Sequence, residues 1–141
     1  GRCSHARMDG MGMYTELRLD CVVRAEGVVL GVLKWMFNSR REKDHPPHID
    51  GPEFTHPLFR CPRLWAIGCC GSAYFDEDPH STIEHVEGDL YRIVSVSNFK
   101  NYDNEIQKFA DWIRPIVQVE PGAKFGSERY ECADEATDLL K

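Results

Sequence analysis

Hydrophobic and polar residues alternate from Tyr14 to Arg24. The positions on one side of this alternation are Thr15, Leu17, Leu19, Cys21 and Val23, and the residues between them are mostly polar or charged. A repeat of two residues is typical of a β-strand with one face buried and one face solvated. This segment therefore predicts a half-buried strand.

The segment from Leu90 to Val117 combines two periods and organises the rest of the chain. Leu90 to Ser97 is rich in β-branched residues and predicts a strand, which pairs with Thr82–Val86 across the Glu87-Gly88-Asp89 turn. An apolar stripe at helical spacing follows, formed by Ile106, Phe109, Ala110, Ile113 and Val117. We expect this helix to begin near Asn101 or Tyr102 and, because of Pro115, to kink or end near Arg114 to Val117.

The remaining elements complete an α+β fold. Glu26–Phe37 predicts a helix, and strands are predicted at Leu64–Phe75 and Lys124–Cys132, with Thr137–Lys141 as an optional short edge strand. The predicted order is β-α-β-β-β-α-β, a mainly antiparallel sheet of about five strands with two helices packed on one face. Residues 13–141 form one predicted domain, and residues 1–12 are interpreted as a disordered leader or upstream sequence outside the fold.

A long connection runs from Asn38 to Arg63. It opens with a charged run and then carries Pro46, Pro47, Pro52, Pro57 and Pro62. Proline removes backbone donors and disrupts helix interiors and ladders. A connection of this length in a compact domain is either functional or mobile.

Charge and cysteine content narrow the function classes. The formal net charge is −6, which argues against a nucleic-acid partner because phosphate binding favours a basic face. Six cysteines in 141 residues are too sparse for a disulfide scaffold, and no signal segment or membrane span is apparent. These features predict a cytoplasmic protein without a membrane partner, whose cysteines are mostly small buried side chains.

Two blocks of the chain resemble a group of known proteins. MYTELRLDC at Met13–Cys21 and SNFKNYDNEIQKFADWIRP at Ser97–Pro115 are similar to small, functionally uncharacterised α+β proteins of bacteria and their phages, which pair an opening MYTEL strand with such a helix. The resemblance implies an α+β fold and a bacterial or mobile-element source. It implies no catalytic residue.

Residues suited to metal binding occur in the long connection. His45, His48, His56 and Cys61 are acceptable zinc ligands by type. However, two consecutive prolines hold the HPPH segment extended, so that its histidines do not converge, and no CxxC or HExxH motif accompanies them. We therefore predict solvated loop histidines, with neither a metal nor another cofactor.

Two further constellations bear on catalysis. Cys69 and Cys70 are interpreted as strand neighbours on opposite faces, one a core thiol and the other half-exposed, with nothing nearby to activate a nucleophile. The acidic turn Asp76-Glu77-Asp78 with His80 holds the right groups for acid–base chemistry, although such a turn is more often simply solvated. No hydrolase elbow, P-loop or dinucleotide motif is present.

The sequence therefore favours a non-catalytic binding or regulatory protein with a protein partner. A phage-type inhibitor of a host defence system is one concrete version. The candidate interaction residues are His45, His48, Trp65 and Trp112. For Trp112 the reason is that it lies off the apolar stripe of the helix, and exposed aromatic residues mark interaction surfaces. The alternative is a small hydrolase-type enzyme that uses histidine and acidic residues of the 38–80 region.

Overall fold

The structure is a computed structural model that describes residues 13–38, 49, 51–71 and 75–141. Residues 1–12, predicted as a leader, lie outside the described residues. Strands and helices in the described ranges are β1 (Thr15–Arg24), α1 (Gly27–Met36), β2 (His80–Glu87), β3 (Leu90–Phe99), α2 (Glu105–Ile113), β4 (Lys124–Tyr130) and β5 (Thr137–Leu140). The predicted α+β class is therefore confirmed.

The five strands form one sheet in the order β2-β3-β1-β4-β5. All neighbouring strands are antiparallel. The early strand β1 lies at the centre, where Thr15 is opposite Phe99 of β3 on one side and Tyr130 of β4 on the other. Hairpins and a central strand of this kind are expected in an antiparallel sheet with helices on one side.

The two faces of the sheet differ in character. On the covered face, the β1 side chains Leu17, Leu19, Cys21 and Val23 join residues of both helices in one hydrophobic core. On the open face, Arg18, Asp20 and Arg24 of the same strand are exposed. The predicted packing of both helices on one face is thus confirmed, and the alternation of β1 is its cause.

Helix α2 buries the predicted stripe of Ile106, Phe109, Ala110 and Ile113. Its entry lies slightly later than predicted, since Asn104 adopts a left-handed conformation with φ of 56° immediately before the helix. The Asn101 side chain accepts a hydrogen bond from the backbone N–H of Ile106 at 2.9 Å. Pro115 falls in a short 3₁₀ turn, Arg114–Ile116, which ends the helix as predicted.

The prediction of a strand at Leu64–Phe75 is wrong. Leu64–Ala66 forms a 3₁₀ turn instead, and the fifth strand of the sheet is the C-terminal β5. Gly68 has φ of +80°, a conformation that interrupts a strand, and a Cβ there would clash with the carbonyl of Met36. Its N–H donates to the Ser97 hydroxyl at 3.1 Å, so a side chain takes the place of a ladder partner.

The described part of the long connection is packed structure. Pro52–Phe54 and Pro57–Arg60 form 3₁₀ turns that bury Phe54 and Leu58. Proline is favoured at the first position of such turns because its missing N–H has no partner there in any case. From Gly51 onward the connection therefore contributes buried side chains to the core, which the proline count alone did not predict.

Candidate interaction surface

Trp65 lies in a hollow of about 360 Å³ at one end of the sheet. The hollow, called here the aromatic hollow, is formed by the start of β1, the end of β3 and the turn that follows Arg63. These three segments meet because Thr15 pairs with Phe99, and because the Asn98 N–H donates to the carbonyl of Cys70 at 2.8 Å. The lining includes Tyr14, Arg63, Trp65, Asn98, Phe99 and Lys100.

Arg63 is held in a fixed position at this hollow. Its guanidinium lies 5.1 Å from the ring centroid of Tyr102, and one nitrogen donates to Asp103 at 3.0 Å. Cation–π contact and a carboxylate partner together restrict the long side chain. Trp65, which is 39% exposed, lines the hollow together with Arg63. Tyr102, which is 57% exposed, does not line the hollow but contacts the Arg63 guanidinium.

Glu105 supports the arginine from beneath. Its side chain is fully buried, and its Oε2 lies 3.5 Å from the Arg63 Nη1. The other carboxylate oxygen accepts from the N–H of Asp103 at 3.0 Å. A buried carboxylate is costly unless it is paired, so the ion pair ties the start of α2 to the turn that carries Arg63. A single sequence carries no signal of this long-range partner.

The other candidate interaction residues lie apart from the aromatic hollow or outside the described residues. Trp112 is half-buried: its ring packs edge-on against Phe59 at 5.2 Å and tilted against Phe109 at 6.2 Å. It therefore covers the 3₁₀ turn at Phe59 and does not line the hollow. His45 and His48 lie outside the described residues, and their role stays a prediction.

His56 uses both ring nitrogens within the fold. Nδ1 accepts from the Leu58 N–H at 3.1 Å, which leaves Nε2 as the donor to Asp111 at 2.8 Å. The imidazole thus caps a 3₁₀ turn, and its hydrogen bond lowers the pKa of Asp111. Burial raises the pKa of the Cys61 thiol. Within the described ranges, no three histidine, cysteine or acidic side chains are grouped for a metal ion.

The acid–base candidates Glu77 and His80 lie on the open face. They border a second hollow of about 470 Å³, called here the charged hollow. Glu77 accepts from His80 Nε2 at 2.6 Å and from Arg18 at 2.7 Å. These two hydrogen bonds, first that of His80 and then that of Arg18, lower the pKa of Glu77. The other two acids of the turn, Asp76 and Asp78, do not line this hollow.

The cysteines depart from the expectation that most are reduced core side chains. Cys69 and Cys70 lie in a turn rather than a strand and form a disulfide with each other. Their interpretation as two thiols on opposite faces is therefore wrong. Cys132 is also disulfide-bonded, whereas Cys21 and Cys61 are free and buried. Burial raises the pKa of the Cys21 thiol to about 12, so this thiol stays protonated at neutral pH.

Two further findings bear on function. Among the helices of the described residues, none has the length and apolar character that crossing a membrane requires. No family model, curated protein or solved structure matches the chain. The function is therefore argued from the residues themselves.

Proposed function

We propose that this chain is a non-catalytic binding or regulatory protein, and that it holds a protein partner through the aromatic hollow. The supporting observation is the surface formed by Trp65, Tyr102 and Arg63. Tryptophan, tyrosine and arginine are the residues most enriched among those that dominate binding energy at protein interfaces. Here the arginine is already fixed by Tyr102, Asp103 and Glu105, so little of its freedom is lost on binding.

The state of the reactive groups also supports a binding role. His56 has both nitrogens engaged in the fold, and burial disfavours the thiolate form of Cys21 and Cys61. A nucleophile or general base needs a free lone pair near its partner group. Of these three described residues, His56 therefore has no free nitrogen lone pair for a general base, and the two buried cysteines disfavour the thiolate that a nucleophile needs.

The proposed source is a bacterium or one of its phages, and the narrower role is inhibition of a host defence system. Both rest on the resemblance of the Met13–Cys21 and Ser97–Pro115 blocks. A compact acidic chain with net charge −6 suits this role, because charge of one sign favours solubility and speeds encounter with a partner of opposite charge.

The test is affinity capture from bacterial lysate with matched variants. Trp65→Ala removes the central aromatic side chain, and Leu140→Ala removes an exposed apolar side chain on β5, which is 47% exposed. A genuine partner is recovered by the wild type and by Leu140→Ala but lost with Trp65→Ala. With the purified partner, we expect Trp65→Ala to weaken binding by about 30-fold or more, as for an interface hot spot. Recovery of no partner, or equal recovery by Trp65→Ala, contradicts the proposal.

A second candidate, a small hydrolase-type enzyme, is favoured by one observation. Glu77 and His80 form a 2.6 Å pair beside Arg18 at the charged hollow, which are the groups that general acid–base catalysis uses. Generic esterase, phosphatase and nuclease substrates test it with His80→Gln and His48→Ala. His85→Gln is the matched control, since His85 is an exposed histidine of the same strand that bonds to the Gly88 carbonyl. Absence of turnover, or turnover unchanged by His80→Gln and His48→Ala, removes this candidate.

A cytoplasmic location is also part of the proposal, and the cysteines provide its test. Disulfides are rare in a reducing cytoplasm, whereas Cys69 is paired with Cys70 in the structure. Cells that naturally contain the protein are lysed in denaturant with an alkylating reagent, and the number of alkylated cysteines in the purified chain gives its free thiols. All six cysteines of the chain react if the compartment is reducing, and a lower count contradicts that location.

A further inference from the structure

The edge strand β2 offers a backbone surface separate from the aromatic hollow. It is the first strand in the sheet order, so in the described part of the chain β3 is its only neighbouring strand. β2 is eight residues long, whereas β5 at the opposite edge has four. Five of the six residues from Thr82 to Glu87 are exposed. An unpaired edge of this length presents a row of hydrogen-bonding groups to which another strand can add.

A hollow of about 390 Å³ lies beside this edge, between β2 and the end of α1. Its walls include Thr82, Ile83 and Glu84 of β2 and Lys34 and Phe37 from the helical side. Side chains of an added strand alternate between the two faces of the sheet. One set would therefore lie in this hollow beside Ile83, and the other set would lie on the open face.

The open-face side of the edge is acidic. From Asp76 to Asp89 the chain has six acidic residues and neither lysine nor arginine. Arg18 pairs with Glu77 and Arg24 pairs with Asp89. Glu84 faces Arg92, but that guanidinium is already bonded twice to Asp20, at 3.0 Å each. Among the described residues, Asp76, Asp78, Glu84 and Glu87 have no ion pair of their own.

We propose that β2 binds an extended basic segment of a partner protein as a sixth strand of the sheet. Backbone hydrogen bonds to the edge supply affinity. A β-bulge between His85 and Glu87 places Glu84 and Glu87 on the same open face. Lysine or arginine on one face of the added strand contacts these two acids, and the apolar residues of its other face enter the hollow beside Ile83. Pairing of β2 with a second copy of itself would bring like charges together across the new ladder, which is destabilising. A basic partner is therefore favoured over a homodimer.

The experiment selects ligands from a displayed library of random peptides about eight residues long, matched to the strand. We expect enrichment of proline-free peptides with alternating basic and apolar residues, and slower amide exchange at Thr82–Glu87 when such a peptide is bound. Two N-methylated versions of the peptide are compared, one methylated at the odd-numbered and one at the even-numbered backbone nitrogens. One of the two should lose binding. The other should bind, because only one edge of the added strand pairs with β2.

Matched variants test how much the acidic side chains of β2 contribute to peptide binding. Glu84→Lys combined with Glu87→Lys should weaken the selected peptide by about tenfold, whereas Glu120→Lys, an exposed acid outside β2, should not. Urea melts of all variants verify folding. The Trp65→Ala change leaves this peptide bound, so failure here is distinguishable from failure of the aromatic-hollow proposal. No enrichment, binding unaffected by either methylation series, protection elsewhere, or a dimer through β2 overturns the inference.

Discussion

The two faces of β1 show how one strand can serve two purposes. On the covered face, Leu17, Leu19 and Val23 are at most 3% exposed and pack against both helices. On the open face, Arg18 and Asp20 take part in ion pairs with Glu77 and Arg92. Apolar burial stabilises by roughly 25 cal/mol per Å², whereas exposed ion pairs contribute about 0–1 kcal/mol. Most of the stability therefore comes from the covered face.

The largest expected effect comes from Phe109→Ala in α2, above the covered face. Phe109 is fully buried and packs edge-on against Phe37 at 5.8 Å. Loss of a buried phenylalanine costs about 3–5 kcal/mol through lost transfer energy and the remaining cavity. Urea melts measure it, with Tyr102→Ala as the control because Tyr102 is 57% exposed. Equal losses in the two variants would mean that α2 does not organise the core.

Arg18→Met tests whether the open face is uniformly weak. Arg18 pairs with Glu16, whose carboxylate is buried on the open face. The Glu16 Oε1 lies 2.9 Å from the Arg18 Nε and 4.0 Å from the Arg129 Nε. Removing the arginine leaves a buried carboxylate poorly paired, which costs about 1–3 kcal/mol. The double variant Arg18→Met, Glu16→Met should regain most of the lost free energy of unfolding, because no buried charge remains. Urea melts of the single and double variants measure these differences. A double variant as unstable as the sum of the single variants argues against this pairing.

Cys21 gives a pH-dependent test of the covered face. Burial raises its pKa from the ordinary 9.0 to about 12, so above pH 9 the unfolded chain loses the proton that the folded protein keeps. Stability therefore falls as pH rises through the window from 9 to 12. Between pH 8 and pH 10 the wild type should lose about 1 kcal/mol more than Cys21→Val. Parallel pH profiles of the free energy of unfolding for the two proteins would show that the thiol is not buried.

The smallest expected effect is that of Arg92→Ala on the open face. Arg92 and Asp20 bond twice at 3.0 Å, but their side chains are 55% and 61% exposed. We expect only a small loss of stability, which shrinks in high salt because exposed charges are screened. Thermal melts at two salt concentrations measure it. A larger, salt-independent loss would assign this pair to the structural core.

How far the sequence predicts the fold depends on the range of the interactions involved. The alternation of β1 and the stripe of α2 are local patterns, and both lie where they were predicted. The Leu64–Phe75 run is apolar without a decisive period, so periodicity could not distinguish a strand from a buried turn. Within it, the Gly68 N–H donates to the Ser97 hydroxyl, which is distant in the chain.

The candidate surface was predictable to a similar extent. Trp65 stood out as a candidate from its residue type alone. The fixing of Arg63 by Tyr102 and Glu105 needs contacts between segments about forty residues apart, for which one sequence carries no signal. The acidic turn at Asp76–Asp78 was visible in the sequence, but the acidic edge of β2 follows only from the position of that strand at the end of the sheet.

The central position of β1 also affects the order in which the chain can fold. During synthesis β1 emerges before both of its partner strands, since Leu90 and Tyr130, which pair opposite Arg24 and Thr15, come later in the chain. Until then both of its ladders are open, and its apolar side has no sheet to join. Pairings of such long sequence separation slow folding and prolong the time spent in aggregation-prone states. In the nascent chain, β1 therefore stays without both of its partner strands until β4 has been synthesised.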